Sequence, residues 1–96
     1  MVETADQLAR VTLNGRLVSF GHGVLIHARR GWHVALYQVP SRAYRAIGNE
    51  GHLVVETMAG LRLVGDVTTE FATAGGEYLL LTGIGLLDVE SAPAAA

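Results

Sequence analysis

Short apolar runs separated by glycine-bearing turns recur along the whole chain, and that spacing marks an all-β sandwich or barrel. The first turn is the most explicit. Asn14-Gly15 is the strongest short hairpin signal, because both central positions of its turn need positive φ. A two-residue loop sets Leu13 opposite Arg16, Val11 opposite Val18 and Ala9 opposite Phe20. One face then collects Ala9, Val11, Leu13, Val18 and Phe20, and the other Arg10, Thr12, Leu17 and Ser19. The register that the turn dictates is the one that sorts apolar from polar. Ahead of this strand, Thr4 and Gln7 have the spacing of a capping box for one helical turn.

Three further strand pairs follow. Gly23–Ala28 and Trp32–Val39 flank Arg29-Arg30-Gly31, which reads as a three-residue loop with glycine in the left-handed position. That loop pairs Ala28 with Trp32, Ile26 with Val34 and Val24 with Leu36, and it faces His27 toward His33. Pro40 ends the strand, since it cannot donate to a ladder. Ser41 to Gly48 reads as a short helix near 42–47, with Ser41 as cap and Gly48 as stop. Next, His52–Thr57 and Leu61–Thr69 turn through Met58-Ala59-Gly60. This register opposes Glu56 to Arg62 and His52 to Asp66, two cross-strand pairs of opposite sign. The last pair turns near Gly75-Gly76. Gly83-Ile84-Gly85 then predicts a bulge or corner where a final strand curls over to close a barrel.

Composition bounds the rest. Half of the 96 residues are apolar and 17% are charged, which excludes a disordered body. The expectation is one domain over 1–90 and a frayed tail over 91–96. It is an antiparallel barrel or sandwich of six to eight strands, mostly meander. The longest uncharged apolar stretch, Tyr78–Leu87, is too short for a membrane-spanning helix. With no cysteine there is no disulfide, thiolate ligand or thiol nucleophile. The acidic start Met1-Val-Glu-Thr lacks the basic, then apolar, order of a secretory signal, so the default location is the cytoplasm.

The net charge of −2 gives no global pull toward nucleic acid or anionic membrane. It is unevenly spread: residues 16–62 hold six Arg against Glu50 and Glu56, whereas residues 63–96 hold five acids and no basic residue.

Three functions can be weighed. Tyr78-Leu-Leu-Leu81 is apolar on both faces, so something must cover it. A chain of this size has apolar surface left over. This favours a non-enzymatic, self-associating interaction module, a homo-oligomer that meets its copies through Tyr78, Leu79, Leu80, Leu81, Ile84 and Leu86 and leaves its Arg-rich loops to a protein partner. The alternative is a small barrel that binds nucleic acid or an anionic ligand through Tyr37, Arg42, Tyr44 and Arg45. The third is a His-based or metal-dependent enzyme. Cross-strand His27 and His33 would be its ligands, with His52 or Asp66 completing the set, but no metal-binding spacing is present. No cofactor motif is present either. Gly21-His-Gly23 and Gly83-Ile-Gly85 do not open helices after strands, and no serine sits in Gly-x-Ser-x-Gly.

Overall fold

Asn14 and Gly15 take φ of 53° and 81° and join β1 (Thr4–Leu13) to the short β2 (Arg16–Leu17), with Leu13 facing Arg16 as the turn requires. The structure, a computed structural model, describes residues 4–28, 31–40, 50–72 and 78–89, with the backbone alone for Thr4, Glu70, Phe71 and Ala72. Five more strands follow: β3 (His22–Ala28), β4 (Gly31–Tyr37), β5 (Glu50–Thr57), β6 (Arg62–Ala72) and β7 (Tyr78–Val89). Six of them close an antiparallel barrel in the order β1-β3-β4-β7-β6-β5, with β5 returning to β1, and β2 adds an extra strand on β1. Most neighbours follow chain order; β1–β3, β4–β7 and β5–β1 are the exceptions. No helix occurs among the described residues, so none there is long and apolar enough to cross a membrane. The helix expected near 42–47, the Gly75-Gly76 turn and the 91–96 tail lie outside the described residues.

The first hairpin keeps its predicted register only near the turn. Val18 N–H donates to the Val11 carbonyl at 2.9 Å, and both side chains are buried. The chain then leaves β1 at Ser19–Gly21, and β3 takes over, pairing Val24 with Gln7 and His27 with Thr4. Thr4–Gln7 is therefore strand and not a helical turn. A register shift between Leu8 and Arg10 in the β1–β5 ladder corrects the predicted face as well. Ala9 becomes a bulged, exposed residue, and Leu8 and Val11 both point inward, 2% and 0% exposed.

The β3–β4 register is corrected by one residue. Ala28 pairs with Gly31, Leu25 with Val34 and Gly23 with Leu36, which leaves two residues between the strands instead of three. Val24, Leu25 and Ile26 are apolar on both faces, so alternation alone could not choose between the registers. The structure turns Leu25 inward, where it is fully buried against the core. The β5–β6 hairpin has the predicted register throughout, with Leu53 opposite Gly65, Val55 opposite Leu63 and Glu56 opposite Arg62. The expected irregularity at Gly83–Gly85 is present as a register shift in the β6–β7 ladder, between Val64 and Asp66. Closure, however, is made by β1 on β5 and not by the end of β7.

Inside, Val11, Leu25, Val34, Leu36, Leu53, Val55, Leu79 and Leu81 lose essentially all contact with solvent. Burying such a side chain contributes about 1.5–3 kcal/mol. Trp32, 5% exposed, fills one end of this core. Its indole lies flat against Gly83 and Gly65. A Cβ on Gly65 would stand 2.7 Å from the ring, and one on Gly83 would overlap it. The indole Nε1–H donates to the Gly85 carbonyl at 3.1 Å, so the one polar atom of the ring is satisfied.

This geometry predicts that Gly83→Ala destabilises the barrel by ~1–3 kcal/mol through overpacking, and that Trp32→Ala costs ~3–5 kcal/mol. Urea unfolding followed by far-ultraviolet circular dichroism measures both. An unchanged midpoint for Gly83→Ala would remove the glycine floor as an explanation of how the tryptophan is seated.

Candidate functional site

Because β3 and β7 are apolar on both faces, the barrel carries an apolar wall outside as well as inside. Paired residues of a ladder share a face, so three rows run across β3, β4 and β7. They are His22–Tyr37–Tyr78, Val24–Ala35–Leu80 and Ile26–His33–Thr82. None of these nine positions holds Asp, Glu, Lys or Arg. Ala35 is only 2% exposed, Tyr37 is 40% exposed, and Val24, Ile26, Tyr78 and Leu80 are half-buried.

The first row is a stack of rings. His22 and Tyr37 have centroids 5.8 Å apart at 30°, and Tyr37 and Tyr78 have centroids 5.0 Å apart at 48°. Burial raises the pKa of Tyr78 above the ordinary value for a phenol. The nearby Tyr37 phenol raises it further, by charge and by the hydrogen bond the two share.

Along β7 the outer strip continues past Thr82 to Ile84, 47% exposed, and then to Leu86, at 83%; Val89, 61% exposed, pairs with the inward Leu63 and belongs to the other face. Of the six residues expected at an oligomer interface, Tyr78, Leu80, Ile84 and Leu86 lie on or beside this outer surface. Leu79 and Leu81 point into the barrel and are fully buried.

Of the proposed ligand cluster, Tyr37 is placed on the outer wall; Arg42, Tyr44 and Arg45 lie outside the described residues. His27 and His33 are not brought together. His27 pairs with Trp32 and His33 with Ile26, neighbouring rungs whose side chains leave opposite faces. No group of three His, Asp or Glu able to hold a metal forms among the described residues.

His52 Nδ1 does meet Asp66 Oδ1, at 3.1 Å, as the register predicts, and Arg62 lies 3.8 Å from Glu56. The His52 and Asp66 side chains are 60% and 67% exposed. Asp66 also borders a shallow cleft of about 400 Å³ lined by Glu50, Gly51, Val67 and Ile84. A pair this open to water contributes little to stability. The backbone beneath it is fixed more firmly. Asn14 Oδ1 accepts the His52 N–H at 2.9 Å, and Asn14 N–H donates to the His52 carbonyl at 2.8 Å.

Sequence reasoning missed two features. The outer wall was hidden by the one-residue error in the β3–β4 register. A groove of about 440 Å³ lined by Arg10, Leu17, Ser19, Phe20 and Met58 opens where the chain leaves β1, a break that nothing local announces. Comparison with known protein families, characterised proteins and solved structures gives no significant match.

Two outcomes are expected here. A Tyr residue whose folded pKa is raised holds its proton in the folded chain after the unfolded chain has lost it. Stability is therefore complete below the ordinary phenol pKa of about 10 and falls as pH rises through it. Thermal unfolding from neutral to strongly alkaline pH should show that loss, and Tyr78→Phe should reduce its slope. By contrast, Asp66→Asn should shift stability by about 1 kcal/mol or less. A larger loss in urea unfolding would show that the pair supports more than itself.

Proposed function

We propose that this protein is a non-enzymatic, self-associating module whose outer β3–β4–β7 wall and exposed end of β7 meet further copies of the chain. One observation carries this reading: nine adjoining outer positions without a charged side chain run into Ile84 and Leu86, which stand open to solvent. Contiguous apolar surface of this kind on a small barrel marks an interaction site, whereas single exposed hydrophobics do not. Most soluble oligomers are homo-oligomers of closed symmetry. The Arg-rich segments remain available to a further protein partner.

The ring stack gives a second reading some support. His22, Tyr37 and Tyr78 form a row of aromatic faces at the barrel surface, the kind of platform on which a base or a planar anionic ligand stacks. In that reading Arg42, Tyr44 and Arg45 supply the charge and further stacking. Fluorescence anisotropy with labelled single-stranded oligonucleotides at low and high salt separates the two readings, since binding through Arg must weaken steeply with salt.

Size-exclusion chromatography with light scattering across micromolar concentrations should show a defined oligomer. Leu80→Lys, on the outer wall, should lower its mass. A strictly monomeric chain at every concentration would overturn the self-association reading.

A further inference from the structure

Asn14-Gly15 sets the first turn, and it also carries a reaction of its own. Asparagine is a thermally labile residue. It is most exposed to attack by its own backbone when glycine follows, because no side chain then crowds the next amide nitrogen. In that reaction the Gly15 amide nitrogen gives up its proton to base and attacks Asn14 Cγ. An N–Cγ bond forms, the Cγ–Nδ2 bond breaks, and Nδ2 leaves as ammonia. Water then opens the five-membered imide at either carbonyl. Cleavage at Cγ gives aspartate. Cleavage at the Asn14 main-chain carbonyl gives isoaspartate, whose backbone runs through Cγ.

Both residues are exposed, so water and base reach them freely. The fold withholds the geometry instead. Closing the imide requires the Gly15 nitrogen to eclipse Cβ about the Asn14 Cα–C bond. Asn14 is left-handed, with φ of 53°. A left-handed residue has ψ of about +47°, which turns the next nitrogen almost directly away from Cβ. The side chain is held as well. Asn14 Oδ1 accepts the His52 N–H at 2.9 Å, and the Asn14 backbone N–H donates to the His52 carbonyl at 2.8 Å. The amide lies over Gly51, where a Cβ would stand 2.9 Å from Nδ2 and 3.1 Å from Oδ1. Turning Asn14 into the reactive conformation therefore undoes the turn and loosens its grip on β5.

We propose that Asn14 is a site of spontaneous modification which the closed β1–β5 seam holds back, and that the isoaspartate product cannot close the seam again. Aspartate keeps the main chain unaltered and keeps an Oδ1 for the His52 N–H. Isoaspartate inserts a carbon into the main chain of a tight turn. The pairing of Leu13 with Arg16 and the bond from the Asn14 N–H to His52 then no longer fit together. Each opening of the turn thus risks a covalent change that prevents its re-closure.

Incubating the wild-type chain at one mildly alkaline pH, folded in buffer and unfolded in urea, tests this by peptide mapping with mass spectrometry. In urea Asn14 should convert ahead of Asn49, the other asparagine, which precedes Glu50. In the folded chain Asn14 should convert at least ~10-fold more slowly than in urea, because reaction waits for local opening. Gly51→Ala, which crowds the amide off its seat, should keep its circular dichroism, raise the folded rate and leave the urea rate unchanged. When chains aged in urea are returned to buffer, limited proteolysis should consume those bearing isoaspartate before those bearing aspartate. Conversion of Asn14 in urea no faster than that of Asn49 overturns the site. Equal rates in urea and buffer overturn the protection. A folded Gly51→Ala chain that reacts at the wild-type rate overturns the clasp on His52 as the restraint, and equal digestion of the two products overturns the failure to re-close.

Discussion

The seat of Trp32 decides how this barrel is built. A six-stranded barrel has little interior volume, and an indole is the largest side chain it could be asked to enclose. The chain accommodates it by leaving out side chains where β6 and β7 pass beneath the ring. Gly65 and Gly83 both point inward, and a methyl group on either would collide with the indole. The ring then reaches across to the Gly85 carbonyl. This hydrogen bond ties β4 to the irregular part of β7, beyond the level where the β4–β7 ladder stops. The tryptophan thus continues as a side chain the connection that the backbone no longer makes.

That arrangement also separates the two faces of β7. Leu79 and Leu81 complete the interior, whereas Tyr78, Leu80, Thr82 and Ile84 follow the outside with a period of two. The same duality holds for β3, where Leu25 is inside and Val24 and Ile26 are outside. An ordinary half-solvated strand alternates apolar with polar. Two strands that break this rule, placed on either side of β4, produce one apolar wall instead of two scattered patches. The wall is a product of strand order, since β3 and β7 are far apart in the chain and meet only because β4 lies between them.

The parts of the fold that could be read from the sequence are those with two independent signals. Asn14-Gly15 had a turn preference and a consistent face pattern, and its Leu13–Arg16 pairing is correct. The Met58–Gly60 hairpin had apolar alternation together with two pairs of opposite charge, Glu56–Arg62 and His52–Asp66, and every rung is correct. The β3–β4 hairpin had one signal, a glycine at the end of the loop, and its strands are apolar on both sides. A slip of one residue left the sequence equally well satisfied, and it changed the neighbours of both His27 and His33. The bulge at Ala9 was invisible for a related reason: alanine fits either face. Of the candidate surface, the importance of Tyr78–Leu81 and the glycine-marked irregularity after it could be seen in the residues. The rows contributed by His22, Val24 and Ile26 could not, because they depend on which strands become neighbours.

The seam between β1 and β5 carries a consequence for how the chain acquires its form. The Asn14 turn clasps His52 by two hydrogen bonds, one from its side chain and one from its backbone, across 38 positions of sequence. The hairpin at the start is thus finished only when the middle of the polypeptide has arrived and joined it. Until then the first strand has one side uncovered. Contacts this remote are slow to find, and barrels that depend on them fold in milliseconds to seconds, where local helical bundles take microseconds. The β1–β2 hairpin is accordingly locked in place only once β5 has joined it.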